Sequence, residues 1–312
     1  MARAAGVSRG AVSQILNGRG ERFSPATRQR VERVARSMAF EPSAAARMLA
    51  RGKSDLVVAL IPNTTFGANL QDMFDVLTRE LSEAGLTLVL RFSSSDVESF
   101  DRLIAGMRPM AVLPMAPLTE EERQVLASRG IPLATPTEQP VPQADANYEI
   151  GALQADHLVG RGHDRLAFAR LSDVRQDPFG PRRVQGFRDR CRELGRDEPP
   201  VIGLAIEADD AARKLDRLGR ERIAVACYND DVALTLIAAA QRLGRRVPED
   251  VAVIGVDNTP LARVLTPRLT TVAYDSSAVA HSMARAVVAH LVDGQPWPAT
   301  TMDLSLVQGD TT

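Results

Sequence analysis

The stretch from Ala5 to Ser54, AGVSRGAVSQILNGRGERFSPATRQRVERVARSMAFEPSAAARMLARGKS, decides how the whole chain is read. Ser8 is placed to cap a helix, Val12, Ile15 and Leu16 share one helical face, and Gly18 supplies a stop, so a short helix is predicted from about Ser8 to Asn17. Ser24 followed by Pro25 is a cap and a first-turn proline. They start a second helix whose Val31, Val34, Ala35 and Met38 recur at i, i+3, i+4 and i+7. Ahead of both, Ala2 to Ala5 reads as the end of another helix, broken at Gly6. Helix, tight turn at Gly6-Val7, exposed helix and supporting helix make a helix-turn-helix.

Charge points the same way. The chain carries 38 Lys and Arg against 39 Asp and Glu, yet residues 1 to 54 hold eleven basic and three acidic side chains, a balance of +8 that leaves −9 for the rest. A cationic head on an anionic body suits phosphate binding by the head alone, although charge by itself also fits a solvated helical face. On the predicted second helix, Arg9, Gly10, Ala11 and Gln14 are expected to face away from Val12 and Ile15. Arg9 and Gln14 then reach base edges in a major groove, Arg suiting guanine and Gln adenine. Ser8, Ser13 and Asn17 suit phosphates.

The segment resembles the head of the lactose/galactose-repressor (LacI/GalR) family. The matching residues run in order: Ala5-Gly6-Val7-Ser8, Ala11-Val12-Ser13, Ile15-Leu16-Asn17-Gly18, Ser24-Pro25-Ala26-Thr27-Arg28 with Val31, and Pro42 with Ala46 and Leu49. Ala11 stands where Thr is usual, and Gln14 where many relatives have a base-reading Arg, so the operator sequence differs while the mode of binding does not. The resemblance makes Ser43 to Ala50 a hinge helix. Eight alanine-rich residues are too few for a stable isolated helix, so the segment orders against a partner. By the same resemblance Leu49 is an apolar wedge for a minor-groove base step, with Arg47, Arg51 and Lys53 near phosphates. Without it, the segment reads as an ordinary linker.

Two expectations concern the ends. Relatives begin several residues earlier, and Met1 stands where a Val belongs, so the first helix is expected to be incomplete and the natural start to lie upstream. At the other end no leucine-heptad tail follows the last strand, so a homodimer is expected rather than a tetramer.

From Asp55 onward short apolar runs alternate with helical stretches. Leu56–Ile61, Leu86–Phe92, Ala111–Pro114 and Ile131–Ala134 form one set, separated by helical stretches such as Leu70–Ala84 and Val97–Met107. Leu166–Ala169, Val201–Ala205, Ile223–Tyr228 and Val251–Val256 form a second. Prolines at 136, 140 and 142 punctuate the two. The chain is thus divided into a helix-turn-helix domain (1–42), a hinge (43–54) and a two-subdomain effector-binding and dimerisation domain (55–312). The fold class is an all-α head plus an α/β, two-lobed, Rossmann-like domain with parallel sheets, as in periplasmic binding proteins. By resemblance, Leu269–Ala273 and the helix Ser276–Val292 return to the first subdomain, and Met302–Leu306 rejoins the second.

Such a clamp takes ligand where strand carboxyl ends face each other. Asn229 and Asp257 follow two strands, and Arg183 opens Arg183-Val184-Gln185-Gly186-Phe187, which resembles the family's Arg-x-x-Gly-Phe. The resemblance makes Arg183, Asn229 and Asp257 the polar contacts to a small effector, with Phe66 and Asn69 from the first lobe. A guanidinium, an amide and a carboxylate suit a sugar's vicinal hydroxyls and equally a purine. Asp230 is read as the cap of the following helix. Thr137 stands where relatives often have Asp, which removes a hydroxyl acceptor.

Catalytic and metal chemistry find no support. His157, His163, His281 and His290 lack ligand spacing, Cys191 and Cys227 are isolated thiols, and no nucleophile elbow, phosphate loop or dinucleotide fingerprint occurs. No cofactor is expected. No signal peptide or membrane span is visible, which places the chain in the cytoplasm with DNA and a small molecule as partners. A solute-binding sensor or carrier without productive DNA binding is the alternative.

Overall fold

The computed structural model describes residues 1–16, 20–38, 54–65, 67–93, 96–115, 117–134, 145–173, 177–297 and 302–312. Asn17, Arg47, Leu49, Phe66, Thr137 and the hinge Ser43–Ala50 lie outside the described residues. The chain divides into two compact units, Met1–Asp55 and Leu56–Thr312.

In the first unit a single turn precedes helix α1 (Arg9–Leu16), and α2 (Pro25–Ser37) supports it. The turn closes with the Val7 N–H on the Ala2 carbonyl at 3.1 Å and the Gly6 N–H on the Arg3 carbonyl at 3.4 Å. Gly6 adopts φ +63, which its missing Cβ allows, so the chain reverses sharply into α1. Ser8 caps α1 by accepting from the Ala11 N–H at 3.1 Å, and Ser24 caps α2 by accepting from the Thr27 N–H at 3.3 Å. Ala5, Val12, Ile15 and Val31 close a small core, and Arg30 Nε donates to the Ala5 carbonyl at 3.0 Å.

The second unit holds two sheets. The first has β1 (Leu56–Ile61) between β2 (Thr87–Phe92) and β3 (Ala111–Pro114), all parallel. Helices α3 (Ala68–Glu83), α4 (Val97–Met107) and α5 (Glu120–Arg129) follow the three strands in turn. The expected strand Ile131–Ala134 is reduced to one bridge, Val112 with Leu133. After α6 (Ala146–Gly160) comes the second, six-stranded sheet. Its strands are β4 (Leu166–Leu171), β5 (Val201–Leu204), β6 (Ile223–Cys227), β7 (Val251–Val256), β8 (Thr270–Tyr274) and β9 (Leu304–Val307), in the order β5-β4-β6-β7-β8-β9. Helices α7 (Gly180–Glu193), α8 (Ala208–Arg217), α9 (Asp230–Arg242) and the short α10 (Pro260–Val264) connect them. Central strands β6 and β7 are buried along their whole length, so they read as continuous apolar runs rather than alternating ones.

The run Leu269–Ala273 does not return to the first lobe. As β8 it pairs in parallel with β7, and the crossing comes after Tyr274. Helix α11 (Ser276–Leu291) then packs Ala280, Ala284 and Val287 into the first lobe's core, and β9 rejoins the second sheet antiparallel to β8. The register explains the difference: Thr271 and Thr270 are fully buried against β7 and the C-terminal Thr311 and Thr312, contacts available on the second sheet alone.

Helices α6 and α7 approach closely because two glycines remove the obstacle. A Cβ at Gly151 would collide with the Arg183 carbonyl, and one at Gly186 with the Tyr148 carbonyl. This contact sets the register between Asn147 and Arg183. Gly186→Ala is expected to cost at least about 1–3 kcal/mol by overpacking, while Gly106→Ala, with open space around it in α4, should be neutral or stabilising by up to about 1 kcal/mol. Urea midpoints of the two variants test this; equal midpoints would remove the glycine contact from the account.

Candidate functional site

Parallel strands in both sheets deliver their carboxyl ends to a common cleft, which encloses a cavity of 210 Å³. Thr64, Thr65 and Asn69 reach it from beyond β1, and Tyr228, Asn229, Asp257 and Tyr274 from the ends of β6, β7 and β8. Arg183, one turn into α7, enters from the side together with Asn147 at the start of α6.

Arg183 is 6% exposed, and a buried guanidinium must be satisfied. Its Nε donates to Asn147 Oδ1 at 3.0 Å, its Nη1 donates to the Tyr228 carbonyl, and its plane lies 5.1 Å from the Tyr228 ring centroid and 5.8 Å from that of Phe179. Asp257 lies deep in the protein with part of its surface on the cavity. Burial raises its carboxyl to about 6, against the pull of Arg183 and of Tyr274, whose hydroxyl donates to Oδ1 at 3.3 Å. The Asp257 backbone sits at φ +104 and Asn258 at φ +49, a region that costs a non-glycine residue energy. Four contacts hold the turn there. The Asp257 N–H donates to the Val272 carbonyl at 2.8 Å and the Asn258 N–H to Thr271 Oγ1 at 3.3 Å. The Thr259 N–H donates to Asp230 Oδ2 at 2.7 Å and Asn69 Nδ2 to the Asp257 carbonyl at 2.5 Å.

Asn229, not Asp230, caps α9: its Oδ1 accepts from the Val232 N–H at 3.1 Å. Asp230 faces inward instead, accepting from the Thr271 hydroxyl at 2.7 Å as well as from Thr259, with its carboxyl raised by burial to about 7. The amide of Asn229 donates across the cleft to Thr65 Oγ1 at 2.6 Å. Together with Thr64 to the Tyr228 hydroxyl at 3.2 Å and Asn69 to the Asp257 carbonyl, it ties the two lobes at three points among the described residues. Asn69, Arg183, Asn229 and Asp257 are thus brought together. The sequence reading missed Asn147, Tyr228 and Tyr274; the two tyrosines end strands and were within reach of the strand-end rule.

In the first unit Ser8, Arg9, Gly10 and Ser13 are exposed on and before α1, and Gln14 is half-buried with its carbonyl accepting from Arg22. Ala11 departs from the expectation. It is 8% exposed, because it precedes Ile15 by four residues and shares its inward stripe.

Among the described residues no three His, Cys, Asp or Glu side chains group as metal ligands, and no helix is long and apolar enough to cross a membrane. His163 is buried and depressed to about 4, His157 bonds Thr312 Oγ1 at 2.8 Å and His281 bonds Glu80 at 2.8 Å. Both thiols are buried, with Cys191 raised to about 11 and Cys227 well above its ordinary value.

A helix-turn-helix unit followed by a two-lobed clamp around a cavity of mixed polar and apolar lining defines a ligand-responsive, DNA-binding transcriptional regulator rather than an enzyme. Residues 1–43 match the family of bacterial regulatory proteins of the lacI type, and residues 155–312 match a periplasmic binding protein-like domain. The chain is 31% identical over 288 residues to the transcriptional repressor PurR of Vibrio vulnificus (strain CMCP6), covering 87% of this chain and 85% of that one. It belongs to the lacI family. A solved complex of the transcriptional regulator CelR with cellobiose superposes with a TM-score of 0.71 at 26% identity, over 100% of this chain and 98% of the other. The lac repressor dimer bound to operator and the anti-inducer ONPF gives 0.80 at 20% identity, over 99% and 97%, a likeness of fold.

A ligand that donates to Asp257 is held more tightly by the carboxylate than by the protonated acid, and burial raises the change between them to about pH 6. Its affinity should fall as pH drops through 6, and Asp257→Asn should flatten the profile; calorimetric titration between pH 5 and 8 reads both. An unchanged affinity at pH 5 would remove Asp257 from the contacts.

Proposed function

We propose that the cleft is the effector site and that its occupancy governs operator binding by the head. The observation that carries this reading is the convergence of Arg183 and Asp257 on one enclosed cavity whose walls belong to both lobes. A molecule seated there touches both lobes and so biases their relation. The effector is a small molecule of the sugar or related-metabolite type, held by Arg183, Asp257 and Asn69, with Asn229 acting through the inter-lobe bond and Phe66 as a further first-lobe contact. CelR, the relative solved with cellobiose, supports a carbohydrate-related ligand.

The head contacts DNA through Arg9 and Gln14 at base edges and through Ser8, Gly10, Ser13 and Asn17 near the backbone, with Arg47 and the Leu49 wedge from the hinge. The domains run 1–42, 43–54 and 55–312. Repression in the cytoplasm, at the nucleoid, is the activity that fits the repressor among its relatives.

The protein acts as a homodimer on a pseudo-palindromic operator, since two heads related by a two-fold axis need two half-sites. Exposed apolar side chains on both lobes suit the second copy: Leu90 on edge strand β2, and Leu261, Val264 and Leu265 at α10, with Val264 74% exposed.

Three measurements follow from this reading. Arg183→Ala or Asp257→Ala should keep operator binding and lose the response to effector; an intact response in both would refute the site. Leu49→Ala should weaken operator binding far more than binding to random DNA, and equal losses would sink the wedge. Val264→Asp should shift the dimer to monomer in analytical ultracentrifugation and lower operator affinity by at least tenfold, and an undisturbed dimer would move the interface elsewhere.

A further inference from the structure

The two walls of the cavity differ in chemistry. On the first lobe, Thr64, Thr65 and Asn69 reach the cavity but are engaged by the second lobe, and the rest of that wall is Leu70 and Met73 on α3, Met115 after β3, and Val279 and Met283 on α11, with Met302 beside them, apolar side chains throughout. These side chains are the cavity-facing surface of the first lobe's core: Leu70, Met115, Val279 and Met283 pack on the cluster that contains Met73, Ile61 and Ala280. None offers a hydrogen-bond donor, and thioether sulfur is a weak acceptor. The second-lobe wall carries the charged groups, Arg183, Asp231 and Asp257, beside Ile150 and Phe179. Arg183 spends Nε and Nη1 on Asn147 and Tyr228, and Asp257 Oδ1 is engaged by Tyr274. Among the described residues, Arg183 Nη2 and Asp257 Oδ2 take no hydrogen bond.

We infer that the effector is a neutral single-ring compound with adjacent hydroxyls on one edge and bare hydrocarbon on the opposite edge. The inference rests on the reading of the cleft as the effector site and narrows it. With Asp231 and Asp257 both lining the cavity beside Arg183, no net positive charge is offered to an anion, and a guanidinium donor next to a carboxylate acceptor suits a group that both accepts and donates, such as a vicinal diol. On the other side, a free hexose presents hydroxyls all round its ring. A hydroxyl pressed against the methionine wall without a partner lowers affinity by roughly five- to a hundredfold. A hydrocarbon edge meets no such penalty. Unbranched, polarizable methionines adapt to its shape and favour contact with a ring. The 210 Å³ cavity lies below the ~300–1,000 Å³ of sites for drug-sized ligands, which favours one ring over two.

The test is a calorimetric panel on the full-length chain. Glucose, galactose, cellobiose, adenine and hypoxanthine form one arm. Catechol, 4-methylcatechol and cis- and trans-1,2-cyclohexanediol form the other. At least one ring diol is expected to bind tenfold more tightly than every free sugar and nucleobase. Met283→Gln and Met115→Gln should each weaken that diol at least fivefold, and Met283→Leu should restore it, with circular dichroism confirming the fold of each variant. A free sugar or nucleobase that binds more tightly, no binding by any diol, or a diol indifferent to both Gln variants would overturn the inference. Arg183→Ala separates the two levels. If sugars or nucleobases bind and Arg183→Ala abolishes it, the site stands and the two-edged ligand falls. If the tightest binder is unaffected by Arg183→Ala and Asp257→Ala, the site itself falls, and this inference with it.

Discussion

A buried guanidinium is the constraint on which the second unit's architecture turns. Removing a charge from water costs several kcal/mol unless hydrogen bonds and counter-charge replace the lost hydration. Arg183 obtains these from three separate parts of the chain: the Asn147 side chain on α6, the Tyr228 carbonyl at the end of β6, and the field of Asp257 after β7. Each element that supplies an acceptor must therefore arrive at a fixed place. The α6–α7 contact at Gly151 and Gly186 brings Asn147 within reach. Buried Gln154 further along α6 donates to the Cys227 carbonyl at 3.0 Å, tying the same helix to the end of β6. The pocket is thus over-determined by the packing beneath it, and the left-handed turn at Asp257 and Asn258 persists for the same reason.

Closure of the lobes follows a different economy. The three cross-cleft hydrogen bonds involve neutral groups, each contributing on the order of 0.5–1.5 kcal/mol net. Together they fall short of the roughly 5.5 kcal/mol needed to carry a two-state equilibrium from 1:99 to 99:1. A ligand that contacts both walls adds its own free energy to the same side of the balance. Asn229 is the economical element here, because one amide caps α9 with its oxygen and bridges to Thr65 with its nitrogen. Loss of the inter-lobe bond therefore need not disturb the helix, and the two functions can change independently.

Much of this was legible in the sequence, where local signals and burial agreed. The run Leu56–Ile61 became β1 residue for residue, and Ser8, Ser24 and Pro25 marked their helices as caps and starts should. The failures have identifiable physical causes. Ala11 was assigned outward, although its i+4 relation to Ile15 places it on the buried stripe. Leu269–Ala273 was assigned to the wrong lobe, since strand membership depends on long-range pairing that no local pattern encodes. Asp230, expected to cap α9, is the inward brace of the next turn, while its neighbour Asn229 supplies the cap. Asn69, Arg183 and Asp257 were within reach because strand ends and one motif located them. Met73, Met115, Met283 and Met302 were invisible as a group, being spread over some 230 positions and joined by the fold alone.

The buried alanine also changes what the recognition helix has to offer DNA. With Ala11, Val12 and Ile15 facing the small core, the exposed face of α1 is confined to Arg9, Gly10 and Ser13, with Gln14 at its edge. Gly10 adds no side chain, so Arg9 and Gln14 carry the long reach. Gln14 is held by Arg22 through its side-chain carbonyl, which leaves its amide nitrogen as the group turned to a partner. A glutamine oxygen has two lone pairs, so one that is engaged by Arg22 can still accept once more. Bidentate pairing with adenine N6 and N7 therefore stays open to Gln14 while Arg22 fixes the orientation of its amide. Arg22, which lies outside α1, thus sets the direction of the amide at the edge of the helix's exposed face.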